Sequence, residues 1–195
     1  MEREVDRLLK DFWEDNDRFA DLFNAVLFNG RLKVAPDKLK EVQRDLSGVK
    51  PAGRELRMVM NANKIHKTDG RSEYVIWNID INSGQNFLEP VAMRVFELLS
   101  YLEQKKNNKL KPITTLAIYY DKTEWIDIIS PPDYKLNLVE VNRSEGYHFT
   151  NKDVALLFEG IRAVYMDTWD TFVEKHNKQM DKEISLLISS ITKKN

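Results

Sequence analysis

Asp80 and Asn82 are the residues whose types and spacing could do chemistry: an acid and an amide on either side of Ile81, in the run Glu73 to Ser83, EYVIWNIDINS. A carboxylate is a hard oxygen ligand of the kind Mg²⁺ takes, and an amide two positions on can hydrogen-bond a water beside it. Side chains alternate along a strand, so Val75, Trp77, Ile79 and Ile81 share one face while Tyr74, Ile76, Asn78, Asp80 and Asn82 share the other. The first face is core, and the second ends in the polar pair. The plainer reading of the same residues is a strand that turns polar as it leaves the core.

Other polar groups carry less. His66 and His148 have no partner at metal-ligand spacing, and His176 lies near a helix end where the dipole favours a cation, so all three read as structural or surface residues. Lys105, Lys106, Lys109 and Lys111 form the densest basic cluster. That cluster joins a helix end to the next strand, at the sheet edge opposite Asp80, and reads as a solvated turn rather than a phosphate track. Of Trp13, Trp77, Trp125 and Trp169, the second and fourth fall on expected core faces, leaving Trp125 as the one exposed enough to stack a base. No glycine-rich phosphate loop, nucleophile elbow or His-Glu-x-x-His motif is present.

The elements that must position Asp80 follow from hydrophobic periodicity. Val5, Leu8, Leu9, Phe12, Phe19, Phe23, Val26 and Leu27 recur at helical steps from Glu2 to Asn29, and Asn29-Gly30 supplies the stop. Arg31 to Gly53, with Pro36, Gly48, Pro51 and Gly53, reads as a long connection with at most a short helix near Asp37 to Arg44. Leu56 to Ile65 and Glu73 to Ile81 flank Lys67 to Arg71, whose Asp69-Gly70 is a hairpin turn signal. Pro90 opens a helix with the stripe Val91, Val95, Leu98, Leu99 and Leu102, running to about Lys106. Ile113 to Tyr120, ITTLAIYY, is then a strand, expected parallel to the Asp80 strand through a right-handed crossover.

Asp133 to Glu140 reads as a short edge strand or ordered loop. Thr150 to Asp153 precedes a third helix with the stripe Val154, Leu157, Phe158, Ile161, Tyr165, Trp169 and Phe172. Met180, Ile184, Leu187, Ile188 and Ile191 define a last helix that packs back on the domain or meets a partner.

Lysine and arginine number 30 and aspartate and glutamate 31 among 195 residues, so no global positive field draws the chain to nucleic acid or an anionic membrane. There is no cysteine, hence no disulfide and no zinc-thiolate site. No apolar run approaches the roughly 20 residues of a bilayer span, and the expectation is a soluble cytoplasmic protein. One main unit, 1–175, is expected with a C-terminal amphipathic helix over 176–195.

Taken in order, Asp15 to Asn24, Pro36 to Leu39, Asn78 to Ser83, Pro90 to Arg94, Pro112 to Tyr120 and Asp133 to Leu138 resemble the recombination-promoting nuclease and transposase family of bacteria, over roughly residues 10–165. The resemblance implies an α/β fold with a restriction-endonuclease-like core, that is helix, antiparallel hairpin, crossover helix and parallel strand, followed by a C-terminal helical extension. It also implies a PD-(D/E)xK site, in which Mg²⁺ sits between acids on two hairpin strands and a lysine or glutamine positions water. The family's run Gly-Ile-Glu-Asn-Gln-Ser corresponds here to Asn78 to Ser83, so both functional side chains, Asp80 and Asn82, are one methylene shorter. The family's Arg-Asp pair falls on Arg57-Met58, which puts a thioether where the second acid belongs.

Two functions follow. One is a catalytically impaired member of a bacterial or phage mobile element, with Asp80 as a vestigial metal ligand, no cofactor or weakly bound Mg²⁺, and a protein partner such as a defence nuclease complex that it inhibits as an anti-defence factor. In that reading the last helix is also a candidate homodimer contact. The other is an active Mg²⁺-dependent DNA endonuclease promoting recombination, with DNA as the partner. A nuclease needs a second carboxylate near Asp80, and Glu55, Asp21 and Glu14 are not at the expected place.

Overall fold

The N-terminal apolar stripe folds as two helices, α1 (Glu2–Glu14) and α2 (Asn16–Phe28), rather than the single helix expected through Asn29. Asp15 is extended, and its carboxylate accepts the Arg18 N–H at 2.9 Å, which caps α2 and ends α1 one residue earlier. The computed structural model of the chain describes residues 2–41, 60–67, 74–82, 97–98, 101–102, 104, 110–125, 137–176 and 178–193. At the far end of α2 the expected stop holds. Asn29 takes a left-handed conformation, and the Gly30 N–H reaches the Asn24 carbonyl at 2.9 Å. Gly30 is itself at φ +77, with His148 so close that a Cβ there would meet it at 3.2 Å.

Where a short helix was allowed near Asp37, the chain makes a 3-10 turn at Pro36–Lys38 and then strand β1 (Lys40–Glu41). Four longer strands complete a sheet of order β1-β2-β3-β4-β5, with β2 Met60–Lys67, β3 Tyr74–Asn82, β4 Ile113–Tyr119 and β5 Leu138–Glu140. The expected hairpin is present, β2 antiparallel to β3. So is the parallel strand, with Ile76 opposite Ile113 and Asn82 opposite Tyr119. β5 is a short parallel edge strand. The result is a helix-rich, mixed α/β fold.

Between β3 and β4 the described residues Glu97, Leu98, Tyr101, Leu102 and Gln104 are helical. Their helix is fastened to the start of β4: the Ile113 N–H donates to Tyr101 Oη, and the Gln104 amide bonds both the N–H and the carbonyl of Lys111. Leu98 and Leu102, expected in its buried stripe, are 59% and 52% exposed.

The third helix expected through Phe172 is likewise two, α3 (Lys152–Tyr165) and α4 (Trp169–His176). Asp167 is left-handed at φ 55, and the Thr168 N–H returns to the Ala163 carbonyl at 2.8 Å, a closure usually made with glycine. Trp169 and Phe172 continue the three- and four-residue spacing across this break, which is why periodicity reads straight through it. The final helix, α5 (Lys182–Thr192), is capped by Asp181 and buries Ile184, Leu187, Ile188 and Ile191 against its own chain, mainly α3 and α1. Met180 packs at the margin of the same core.

Helices α1 to α5 contribute to one core on one side of the sheet, where Leu116, Ile118, Tyr120 and Val139 meet Phe12, Trp13, Phe19, Leu157 and Ile188. Ile79 and Ile81 hold register with Leu116 and Ile118, in keeping with the expected core face of β3. Asp80 holds register with Ala117, a position on the other face.

Candidate functional site

Asp80 and Asn82 lie at the C-terminal ends of the parallel strands, where open α/β sheets place their ligands. For β3 it is backbone register that places them. A row runs across the sheet at Asp80: Met60 on β2, Ala117 on β4 and Leu138 on β5. The next row joins Asn82, Tyr119 and Glu140. Beside Asp80 the ladder of β2 slips, Met60 pairing with Asp80 and Ala62 with Ile79, so Asn61 is an extra residue in a bulge. Bulges re-aim the chain next to functional sites, but the partners they leave beside Asp80 carry no oxygen ligand in their side chains.

Glu140 is the carboxylate that register brings closest to this edge among the described residues. Its backbone stands two strand spacings of about 4.8 Å each, about 10 Å in all, from β3, in the row of Asn82 rather than that of Asp80. Glu140 is also engaged: Oε1 accepts the Trp125 backbone N–H at 2.9 Å, and Oε2 lies 3.8 Å from Arg143. Asp21 is buried on the helical side, where Oδ1 accepts the Thr150 N–H at 2.8 Å. Glu14 is exposed at the end of α1. Glu55, Arg57 and Met58 lie outside the described residues, and no group of three or more histidines and acids that could hold a metal occurs among the described ones.

Beyond Asn82 the edge is a hydrogen-bonded corner. Tyr119 is fully buried, its hydroxyl 2.9 Å from Thr123 Oγ1 and its ring met edge-on by Trp125 at 5.2 Å. Trp125, expected as an exposed stacking platform, is therefore half-buried, and its indole nitrogen is covered without a hydrogen-bond partner. Arg143 bridges Glu124 at 2.7 Å and leans on Glu140. Burial pushes the Tyr147 phenol above its ordinary value, and the Glu140 charge adds to that. Among the described residues no nucleophile and base stand within hydrogen-bond reach of each other here.

The remaining sequence candidates are dispersed. Trp13 is fully buried, and Trp169 is half-buried against Phe172. His148 is exposed, while His176 stacks on Phe172 with Nε2 3.2 Å from Glu159. Lys111 is half-buried; Lys105, Lys106 and Lys109 and the side chains of His66 and Trp77 lie outside the described residues.

Two charged residues that periodicity passed over organise the core. Lys64, on β2, is 1% exposed and donates to the Glu14 carbonyl and, at 2.6 Å, to Asn16 Oδ1, so a strand supplies the cation at the C-terminal end of α1. Arg18 lies over the Phe12 ring and makes paired bonds to Glu183, with Asp153 also in reach at 2.9 Å. Burial opposes the Arg18 charge, but the two acids outweigh it and its pKa is raised. An arginine three residues after a capping acid was the available signal; its distant partners were not. No family model, curated protein or solved structure matches the chain.

Proposed function

We propose that the chain is a binding protein on a restriction-endonuclease-like frame whose metal site has decayed, carried by a bacterial or phage mobile element and acting on a protein partner of the defence-nuclease kind. The observation that carries the loss of catalysis is the row at Asp80, flanked by Met60 and Ala117. Mg²⁺ binds oxygen and gives up water reluctantly, so one carboxylate beside a thioether and a methyl group competes poorly with solvent. Asn82 carries no positive charge to stabilise the oxygens of a phosphate under attack. The order of helix, hairpin and parallel strand supports the frame, and the resemblance of Asn78 to Ser83 and its companion segments supports the mobile-element origin.

The test is cleavage of supercoiled and single-stranded DNA in Mg²⁺ and in Mn²⁺ by the native protein, Asp80→Ala and Met58→Asp. The expected result is no cleavage by the native protein. Cutting that Asp80→Ala abolishes would overturn the reading in favour of a Mg²⁺-dependent DNA endonuclease. Cutting by Met58→Asp alone would trace the decay to that residue. A pull-down from the native host then identifies the partner.

A further inference from the structure

Gly160 lets α3 and α5 touch: a Cβ there would lie 2.3 Å from Ile188 Cδ1. One turn on, the helices leave a gap that the short side chains of Ser185, Ser189 and Thr192 do not fill, and a surface cavity of about 510 Å³ opens. Its apolar wall is Val164, Ile188 and the half-buried Trp169. Asp167 and Asp170 stand at its mouth, both exposed, and neither forms an ion pair among the described residues. Ser189 and Thr192 donate their hydroxyl protons to the Leu186 and Ile188 carbonyls, so each meets a visitor as an acceptor.

We propose that this cavity receives the guanidinium of an arginine side chain presented by a partner protein. Carboxylates and acceptor hydroxyls call for a group that only donates, and guanidinium carries five N–H donors and no acceptor. The planar group stacks on one indole face, whereas a bare ammonium gains more from a cage of several rings. The apolar wall covers the methylene stem. Lys193, exposed at the rim, opposes entry and sets an upper limit on affinity. That the arginine belongs to a protein rests on the binding-protein reading; the cavity chemistry does not, and the peptide titration below is independent of DNA cleavage.

The experiment titrates the full chain with an acetylated, amidated Gly-Arg-Gly peptide, followed by amide and indole NMR shifts. Isosteric citrulline and lysine peptides and methylguanidinium serve as comparisons. Asp167→Asn suits the left-handed backbone there, and it is combined with Asp170→Asn after circular dichroism confirms folding. Saturable shifts at the Trp169 indole are expected with the arginine peptide, at least tenfold weaker binding for citrulline and for the double variant, and tighter binding for Lys193→Ala. No saturable binding, equal binding of citrulline, or an indifferent double variant would overturn the site. Equal binding of the lysine peptide would overturn the guanidinium assignment, and methylguanidinium binding as tightly as the peptide would overturn the partner side chain as occupant.

Discussion

Arg18 and Asp80 each sit where several elements meet, and their surroundings are opposite. Around Arg18 two carboxylates arrive from helices far along the chain, Asp153 on α3 and Glu183 on α5, to answer one cation. Around Asp80 the neighbouring register positions hold Met60 and Ala117, and nothing ionic answers it from either. Among the described residues, acids gather where they tie helices together, and none holds a register position beside Asp80. What makes a catalytic pair is convergence in the fold, which no count of residue types reveals.

The largest test of that contrast is Arg18→Ala. It leaves Asp153 and Glu183 side by side without their cation and removes the packing on Phe12, and a loss of about 2 kcal/mol is expected from urea denaturation, less than for a fully buried pair because both acids are partly exposed. A loss below half that would mean the helices are held by their apolar faces alone. Gly160→Ala should cost about 1 kcal/mol, overpacking against Ile188 and Phe172 outweighing the better helix propensity, and adding Ile188→Val should recover most of it.

A smaller effect is expected at Tyr120, whose buried hydroxyl has no hydrogen-bond partner. Burial raises its pKa, with the neighbouring Trp13 indole working the other way. A phenol whose folded pKa is raised contributes stability that is whole below about pH 10 and is lost as pH climbs toward the folded value. Tyr120→Phe should therefore cost under about 1 kcal/mol near neutrality and flatten the decline in melting temperature between about pH 10 and 11. The least effect belongs to Asp80→Ala, expected within about 0.5 kcal/mol of the native protein in urea. A larger loss would mean that Asp80 has a structural partner and would narrow the contrast with Arg18.

Sequence periodicity reached the hairpin, the parallel β3 and β4, the edge strand and the buried face of α5, because each depends on local pattern and short connections. It ran through Asp15 and Asp167, since a break flanked by residues at helical spacing leaves the stripe intact. Lys64 was invisible for a different reason: in MNANKIHK it looks like one more polar strand position, and only the arrival of Glu14 and Asn16 makes its burial tolerable. Trp125 was misjudged because a loop tryptophan after four polar residues reads as exposed, whereas the Tyr119 ring beneath it cannot be seen from the loop. At the candidate site the position of Asp80 was legible and its neighbours were not, register being a property of pairs of strands.

Lys64 has a kinetic side as well. The C-terminal end of α1 is closed by a residue 50 positions downstream, and Arg18 waits for partners 135 and 165 positions away. The face of Leu9, Phe12 and Phe19 is therefore covered through non-local contacts, the slower kind to form, and the Arg18–Glu183 pair waits for α5. Until α5 docks, α1 and α2 lack that tie, so its docking is the step that completes their anchoring.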